Sequence, residues 1–284
     1  MRTLLCANNN LGAPHITLLC ATKHHPLCVS TVLLIMWIGS GRPSIVIYGI
    51  LLVLARQITL AFARCAIQPD VNGHVDIPSS WTSINEKAFY QCSNLKTVSI
   101  PHGVKRIEMA AFYKCATLKT VTLPDTITHI GNHSFQHSAL ETISIPSSVI
   151  DIGYAAFRSS IGLRSATIQV SSDPTVPANV KIGDFAFSRC SELTSVTIGD
   201  SITSIGIGAF QQCSNLASST IGNSVKSIGD GAFQLCVRLT FVTIGDSVMS
   251  IGNYAFNQCS SLASVTIGDS VTSIGDFVVV YTLL

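Results

Sequence analysis

Six cysteines recur at one place in a repeated string. Cys92, Cys115, Cys190, Cys213, Cys236 and Cys259 each stand three residues after a phenylalanine. A column of thiols could form disulfides or hold a metal ladder. Ser138 and Ser160 fill the same slot in the two intervening units, where neither bond could form. Side chains stacked in a column also point one way, a poor geometry for bridging. The expectation is a small buried slot that accepts a thiol. Cys6, Cys20, Cys28 and Cys65 have no interpretable spacing. His129, His133 and His137 are spaced i, i+4, i+8, which on a helix would make one metal-binding face. Gly131 and the register of the surrounding string put them across a strand end, a turn and the residues after Phe135, so they should not converge. Asp184, Asp230 and Asp276 share one position of the string, and Asp200, Asp246 and Asp269 share another. Such ladders could hold calcium. Ile207 and Asn223 interrupt them, and the expectation is turn aspartates that cap backbone amides. No metal or other cofactor is expected. No Ser/His/Asp set, phosphate loop or carboxylate pair stands out, and all eight histidines precede Ser138. The chain does not read as an enzyme.

The remaining chemistry is hydroxyl chemistry. Positions that alternate with apolar residues read Thr97 and Ser99, Thr120 and Thr122, Thr142 and Ser144, Ser165 and Thr167, Ser195 and Thr197, Ser218 and Thr220, Phe241 and Thr243, Ser264 and Thr266. Thr suits an exposed strand and pairs with its neighbours, so the ladder has a structural reason. It is also a candidate protein-recognition face. Phe241 breaks it with an aromatic side chain of the kind enriched at binding hot spots.

The elements that must carry these positions follow from periodicity. Phe89, Phe112, Phe135, Phe157, Phe187, Phe210, Phe233 and Phe256 are separated by 23, 23, 22, 30, 23, 23 and 23 residues. Self-similarity at this period is the signature of a solenoid. Within Leu193–Ser214 the string "LTSVTI" alternates with period two, a half-buried strand. Gly199-Asp200, or Pro101, Pro124 and Pro146 in earlier units, then turns the chain. A second extended piece, "ITSIG", follows, and "GAFQQC" reads as one turn of helix or 3-10 helix. About six apolar side chains cannot offset the ordering of a whole unit, so a lone unit does not fold. Stacked units bury a continuous core. The eight phenylalanines are the expected spine.

The pattern L-x-x-V-x-I-P-x-x-V-x-x-I-G-x-x-A-F-x-x-C, from Val75 to Ile274, resembles the BspA-like leucine-rich repeats. That resemblance implies a leucine-rich-repeat arc with a parallel sheet on its inner face. It implies protein recognition or adhesion, without catalysis. Four departures stand out. The unit after Phe135 is one residue short. The unit from Leu163 carries seven extra residues around "QVSSDPTVPAN". Ser219 replaces a buried Val. After Asp276, "FVVVYTLL" stands where Ala-Phe and Cys are expected, with Phe277 outside the register.

Residues 1–66 do not belong to the repeat, which is assigned to 67–284 with about eight coils. The leader holds five basic and no acidic side chains, with apolar stretches at Leu27–Ile38 and Ile45–Ala55. Each is shorter than the roughly 20 residues that span a bilayer. "AFA" at Ala61–Ala63 offers a signal-peptidase site, and Met36 a suitable start for the signal. A cleaved signal peptide, a membrane anchor within 27–63 and a gene-model extension over residues 1–35 all remain open. The first two place the repeat at the cell surface or outside. A non-functional leader would leave a cytoplasmic scaffold. Charged residues are only 11% of the 284, the net charge is +2, and no basic run follows the chain. Nucleic acid is therefore not an expected partner.

Overall fold

The computed structural model describes residues 16–19, 33–36, 65–169 and 180–279. The chain divides into two units, Met1–Ala61 and Phe62–Leu284. In the first, Ile16–Leu19 pairs antiparallel with Leu33–Met36. The proposed cleavage site at Ala61–Ala63, Cys6, Cys20 and Cys28, most of the 27–63 apolar region and the inserted residues 170–179 lie outside the described residues.

The second unit is a solenoid of parallel β-strands. In each complete coil a first strand, a corner, a second strand and a turn segment follow in order. The first strands run from His74–Asp76 to Ser264–Thr266 and, after the first, are the alternating Ser/Thr strings; the second strands, from Ser83–Ile84 to Ser273–Ile274, are short and each ends in isoleucine. Among the described residues, nine second strands make one parallel sheet, while the first strands make a three-stranded and a six-stranded sheet. In the first strands register is residue for residue: Ser195 faces Ser218 and Ser218 faces Phe241. Because the side-chain period is two, Val196, Ser219 and Val242 all point inward from those strands.

The first-strand sheet breaks between Thr120–Thr122 and Thr142–Ile145. Phe112 is six residues before Leu118, but Phe135 is only five before Leu140. The break falls at the coil shortened in that loop. Across the seven-residue insertion the first strands keep register, since Ala166 faces Val196, but the second strands shift by one residue between Val180 and Lys181, which face Ile202 and Ser204.

The segment around each spine phenylalanine is not helical, which corrects the expectation of a helical or 3-10 turn. No helix occurs among the described residues. Two left-handed residues flank each phenylalanine, for example Lys87 (φ 56°) and Gln91 (φ 56°) around Phe89. They turn alternate amides along the solenoid axis. Lys87, Phe89 and Gln91 donate to Met109, Ala111 and Tyr113 of the next coil at 3.0, 2.7 and 2.7 Å, while Ala88, Tyr90 and Cys92 donate three residues back. The turn segments thus form a third inter-coil ladder. A left-handed L-residue costs about 1–2 kcal/mol. Here that conformation recurs in every coil, because it lets each amide find a partner that a single helical turn would leave unpaired.

Inside, the eight spine phenylalanines are all 0% exposed. Successive rings are stacked with centroids 5.0–5.4 Å apart and planes within 3–16°. The register also runs past Asp276. Phe277 takes the left-handed position that Tyr254 holds one coil earlier, and their rings stack at 5.3 Å. Phe256 donates to Val278 at 2.8 Å. Val279 therefore stands where a phenylalanine is expected: the residue types change, the register does not.

Candidate functional site

The cysteine column divides in two. Cys92 is bonded to Cys65, 27 residues earlier, against the expectation of free thiols throughout and a leader that extends to residue 66. Ala66 also donates to the Ala88 carbonyl. The other thiols fill a buried slot with a definite partner. Cys115, Cys190, Cys213, Cys236 and Cys259 each donate to the spine carbonyl of the preceding coil, Phe89, Phe157, Phe187, Phe210 and Phe233, at 2.9–3.2 Å. Ser160 does the same toward Phe135 at 2.9 Å, and Ser138 bonds Ser160. Cys92 heads the column and has no earlier spine phenylalanine to bond. That vacancy was the signal the sequence offered. Burial pushes the Cys115 and Cys213 thiols up to about 12, so they stay protonated and unreactive near neutral pH.

The histidines and aspartates also serve the coils. His129 Nδ1 meets the Thr128 hydroxyl and His133 Nδ1 meets Gln136 Oε1. His137 packs edge-on against Tyr113. Asp184 Oδ1 accepts the Ile207 amide and Asp230 Oδ1 accepts the Asn253 amide; Asp200 Oδ1 accepts that of Asn223. These carboxylates cap amides of the following coil and not of their own turn. Asn132 and Asn253 do likewise toward Tyr154 and Asp276. Among the described residues no group of three or more His, Cys, Asp or Glu could hold a metal.

The outward positions of the first strands line one face. Thr120, Thr122, Thr142, Ser144, Thr167, Ser195, Thr197, Thr220, Phe241, Thr243, Ser264 and Thr266 are exposed, and Thr97, Ser165 and Ser218 are half-buried. The face gains one strand that the sequence reading did not count, His74–Asp76. Its imidazole occupies two of the candidate hydroxyls, Thr97 at 2.6 Å and Ser99 at 3.1 Å. Phe241 lies between Ser218 and Ser264 and is 49% exposed.

A groove of about 540 Å³ adjoins this face. Thr220, Thr243 and Thr266 form one wall, Asp200, Asn223, Asp246 and Asp269 the other, and Gly199, Gly222, Gly245 and Gly268 the floor. The corner residue creates it. Pro124 and Pro146 bury their rings at the equivalent corner of earlier coils, whereas glycine leaves the space open. A Cβ at Gly245 would meet the Gly222 carbonyl oxygen at 2.7 Å. The floor is thus set by how closely the coils stack.

The profile described as "BspA type Leucine rich repeat region (6 copies)" matches residues 60–180 and 180–284. The chain belongs to this family. Among solved structures, the BspA type repeat is similar to a leucine-rich repeat protein from Bacteroides ovatus, with 27% identity over 72% of this chain and a TM-score of 0.41. The match spans 63% of that protein's length. It is also similar to the T. pallidum leucine rich repeat protein, with 28% identity over 68% of this chain and 79% of that one, TM-score 0.47. A third is a leucine rich cell surface protein from Faecalibacterium prausnitzii, with 24% identity over 68% of this chain and 78% of that one, TM-score 0.29. No curated protein matches the chain. BspA type repeats are generally protein-interaction modules rather than catalysts.

Proposed function

We propose that this chain is a non-catalytic protein-binding or adhesion module that works outside the cytoplasm and engages its partner with the Ser/Thr face of the first strands. The observation that carries the reading is Phe241. A 49% exposed aromatic ring sits between Ser218 and Ser264 in a column that otherwise holds hydroxyls from Thr97 onward. The strand gains nothing from exposing it, since Val242 already supplies the inward contact at 1% exposure. Rigid aromatic side chains dominate binding hot spots because they offer large contact area at low entropy cost. The Cys65–Cys92 disulfide supports the location, because such bonds persist in oxidising compartments. It weighs against the cytoplasmic scaffold.

The test begins with a photo-reactive side chain placed at position 241 of the full chain and, as control, at position 226 on the second-strand side. An extracellular protein mixture should yield a partner that crosslinks from 241 and not from 226. Titration of that partner should then show Phe241→Ser weakening affinity by about tenfold or more, roughly 1.4 kcal/mol. The melting midpoint should not fall. Equal crosslinking from both positions, or unchanged affinity of the variant, defeats the assignment.

A further inference from the structure

The turn segments gather charges that the sequence scatters. Lys114, His137, Arg158 and Arg189 stand one or two residues after the spine phenylalanines of four successive coils. Backbone hydrogen bonds tie these segments side by side: Lys114 to Gln136 at 2.8 Å, His137 to Arg158 at 3.0 Å, and Ser159 to Ser188 at 2.8 Å. The spine rings set the rise, so a new coil arrives every 5.0–5.4 Å. The cations share one neighbourhood. His137 is held below its ordinary pKa by burial and then by the charges of Lys114, Arg158 and Arg189.

Among the described residues, none of these three cations is in an ion pair. Each is held by something uncharged instead. Lys114 Nζ lies 5.3 Å over the Tyr113 ring, the Arg158 guanidinium lies 5.7 Å over Phe185, and Arg189 Nε donates to Gln212 Oε1 at 2.8 Å. The strip is therefore fixed in position while its charge stays uncompensated. Of the four turn segments, 109–115, 132–138, 153–160 and 184–190, only the last has an acidic residue, Asp184. One of its oxygens already accepts the Ile207 amide.

We propose that this strip is a second binding site, on a different face from the Ser/Thr ladder, and that it takes a linear anionic polysaccharide lying along the solenoid axis. Cations repeating coil by coil match a polymer that repeats its negative charge, and several weak contacts in register add up. The rings favour a glycan over single-stranded nucleic acid. Base recognition needs free aromatic faces for stacking. Tyr113 is stacked on Tyr90 at 5.0 Å and covered by Lys114, and Phe185 is covered by Arg158 with Tyr154 at its edge. Beside the three cations, the rings of Tyr113 and Phe185 thus offer charge contacts rather than free stacking faces.

The test uses the full chain and a size-defined heparin oligosaccharide as probe, at physiological salt. Saturable binding is expected. Lys114→Gln/Arg158→Gln/Arg189→Gln should weaken it by about tenfold or more and flatten its salt dependence, as loss of fixed cations does for polyanion binding. Lys105→Gln/Lys226→Gln/Arg238→Gln, with the same change in net charge, should stay within about twofold. Arg158→Lys/Arg189→Lys keeps the charge and should keep most of the affinity. Independently of any variant, bound heparin should protect Lys114 from acetylation and leave Lys226 reactive. The proposal is overturned if no saturable binding occurs, if both triple variants weaken it equally, or if protection misses Lys114. A single-stranded oligonucleotide of equal charge that binds more tightly than heparin overturns the glycan assignment in favour of nucleic acid.

Discussion

The two ends of the repeat bury the same columns differently. At the first coil, Val75, Ile77 and Ile84 are 0–4% exposed, and a disulfide fastens the preceding segment to Cys92. In the last described coil the equivalent positions open: Val265 is half-buried, Ile267 is 44% exposed and Ile274 55%. The residue types barely change between the two. A side chain in this fold is buried by the coil beside it, so its environment depends on its neighbours more than on its own hydrophobicity.

The sharpest way to break that comparison is a spine residue. Phe210→Ala should cost about 3–5 kcal/mol, because Phe210 lies between two stacked rings with no solvent path. Phe277→Ala should cost under about 1 kcal/mol, since its ring, stacked on Tyr254, is 60% exposed. Denaturant melts of both variants check this, and equal losses would contradict the stacking. Next in size is the covalent closure at the first coil. Cys65→Ser should cost roughly 3–4 kcal/mol for a loop of this length. Hydrogen exchange should speed up first in the Phe89 coil and leave the Phe233 coil unchanged. Uniform acceleration would mean that the coils do not fray from that end.

A smaller effect tests the packing between interior coils. Gly245→Ala puts a Cβ against the Gly222 carbonyl and should cost about 1–3 kcal/mol. Gly162→Ala meets nothing closer than 3.7 Å. It should be neutral or gain up to about 0.5 kcal/mol through the unfolded state. Thermal melts of the pair measure the difference. The smallest effect has the opposite sign. Ser219 is 2% exposed and its hydroxyl has no hydrogen-bond partner among the described residues. Ser219→Val restores the residue type of the column and should gain about 1 kcal/mol. A loss of stability would show that an ordered water satisfies the hydroxyl.

Much of this architecture was legible because a solenoid writes its core as periodicity. The Phe, Leu and Ile columns could be read from spacing alone, as could the outward parity of Thr122 or Phe241. What the spacing could not show was how side chains in different coils meet. Its shared repeat position marks Asp184 as a turn aspartate, but does not show that its oxygen takes an amide one coil on. The turn segments looked helical because most of their left-handed residues, such as Lys87, Gln91, Ala110 and His133, are not glycine; Gly208 and Gly231 are the exceptions. Conformations imposed by stacking leave no propensity signal in the residues that adopt them. The groove was hidden for a related reason: Pro124 and Gly222 both read as turn residues, and only their volumes differ. Lys114, Arg158 and Arg189 are scattered in sequence and become a cluster only after the chain has wound four times.

The three inter-coil ladders have a mechanical consequence. Every ladder hydrogen bond runs along the solenoid axis, so tension applied along that axis loads each bond along its own length. Coil boundaries in series carry the same tension, so the weakest yields first and the others follow one at a time. The chain should peel in steps, each freeing about 75 Å of slack for a 23-residue coil. A pull that enters at Cys65 is different. The sulfur bridge carries it directly to Cys92, and the residues between them stay slack. The coil around Phe89 is then the last at that end to feel the force, and opening begins among coils held by hydrogen bonds alone.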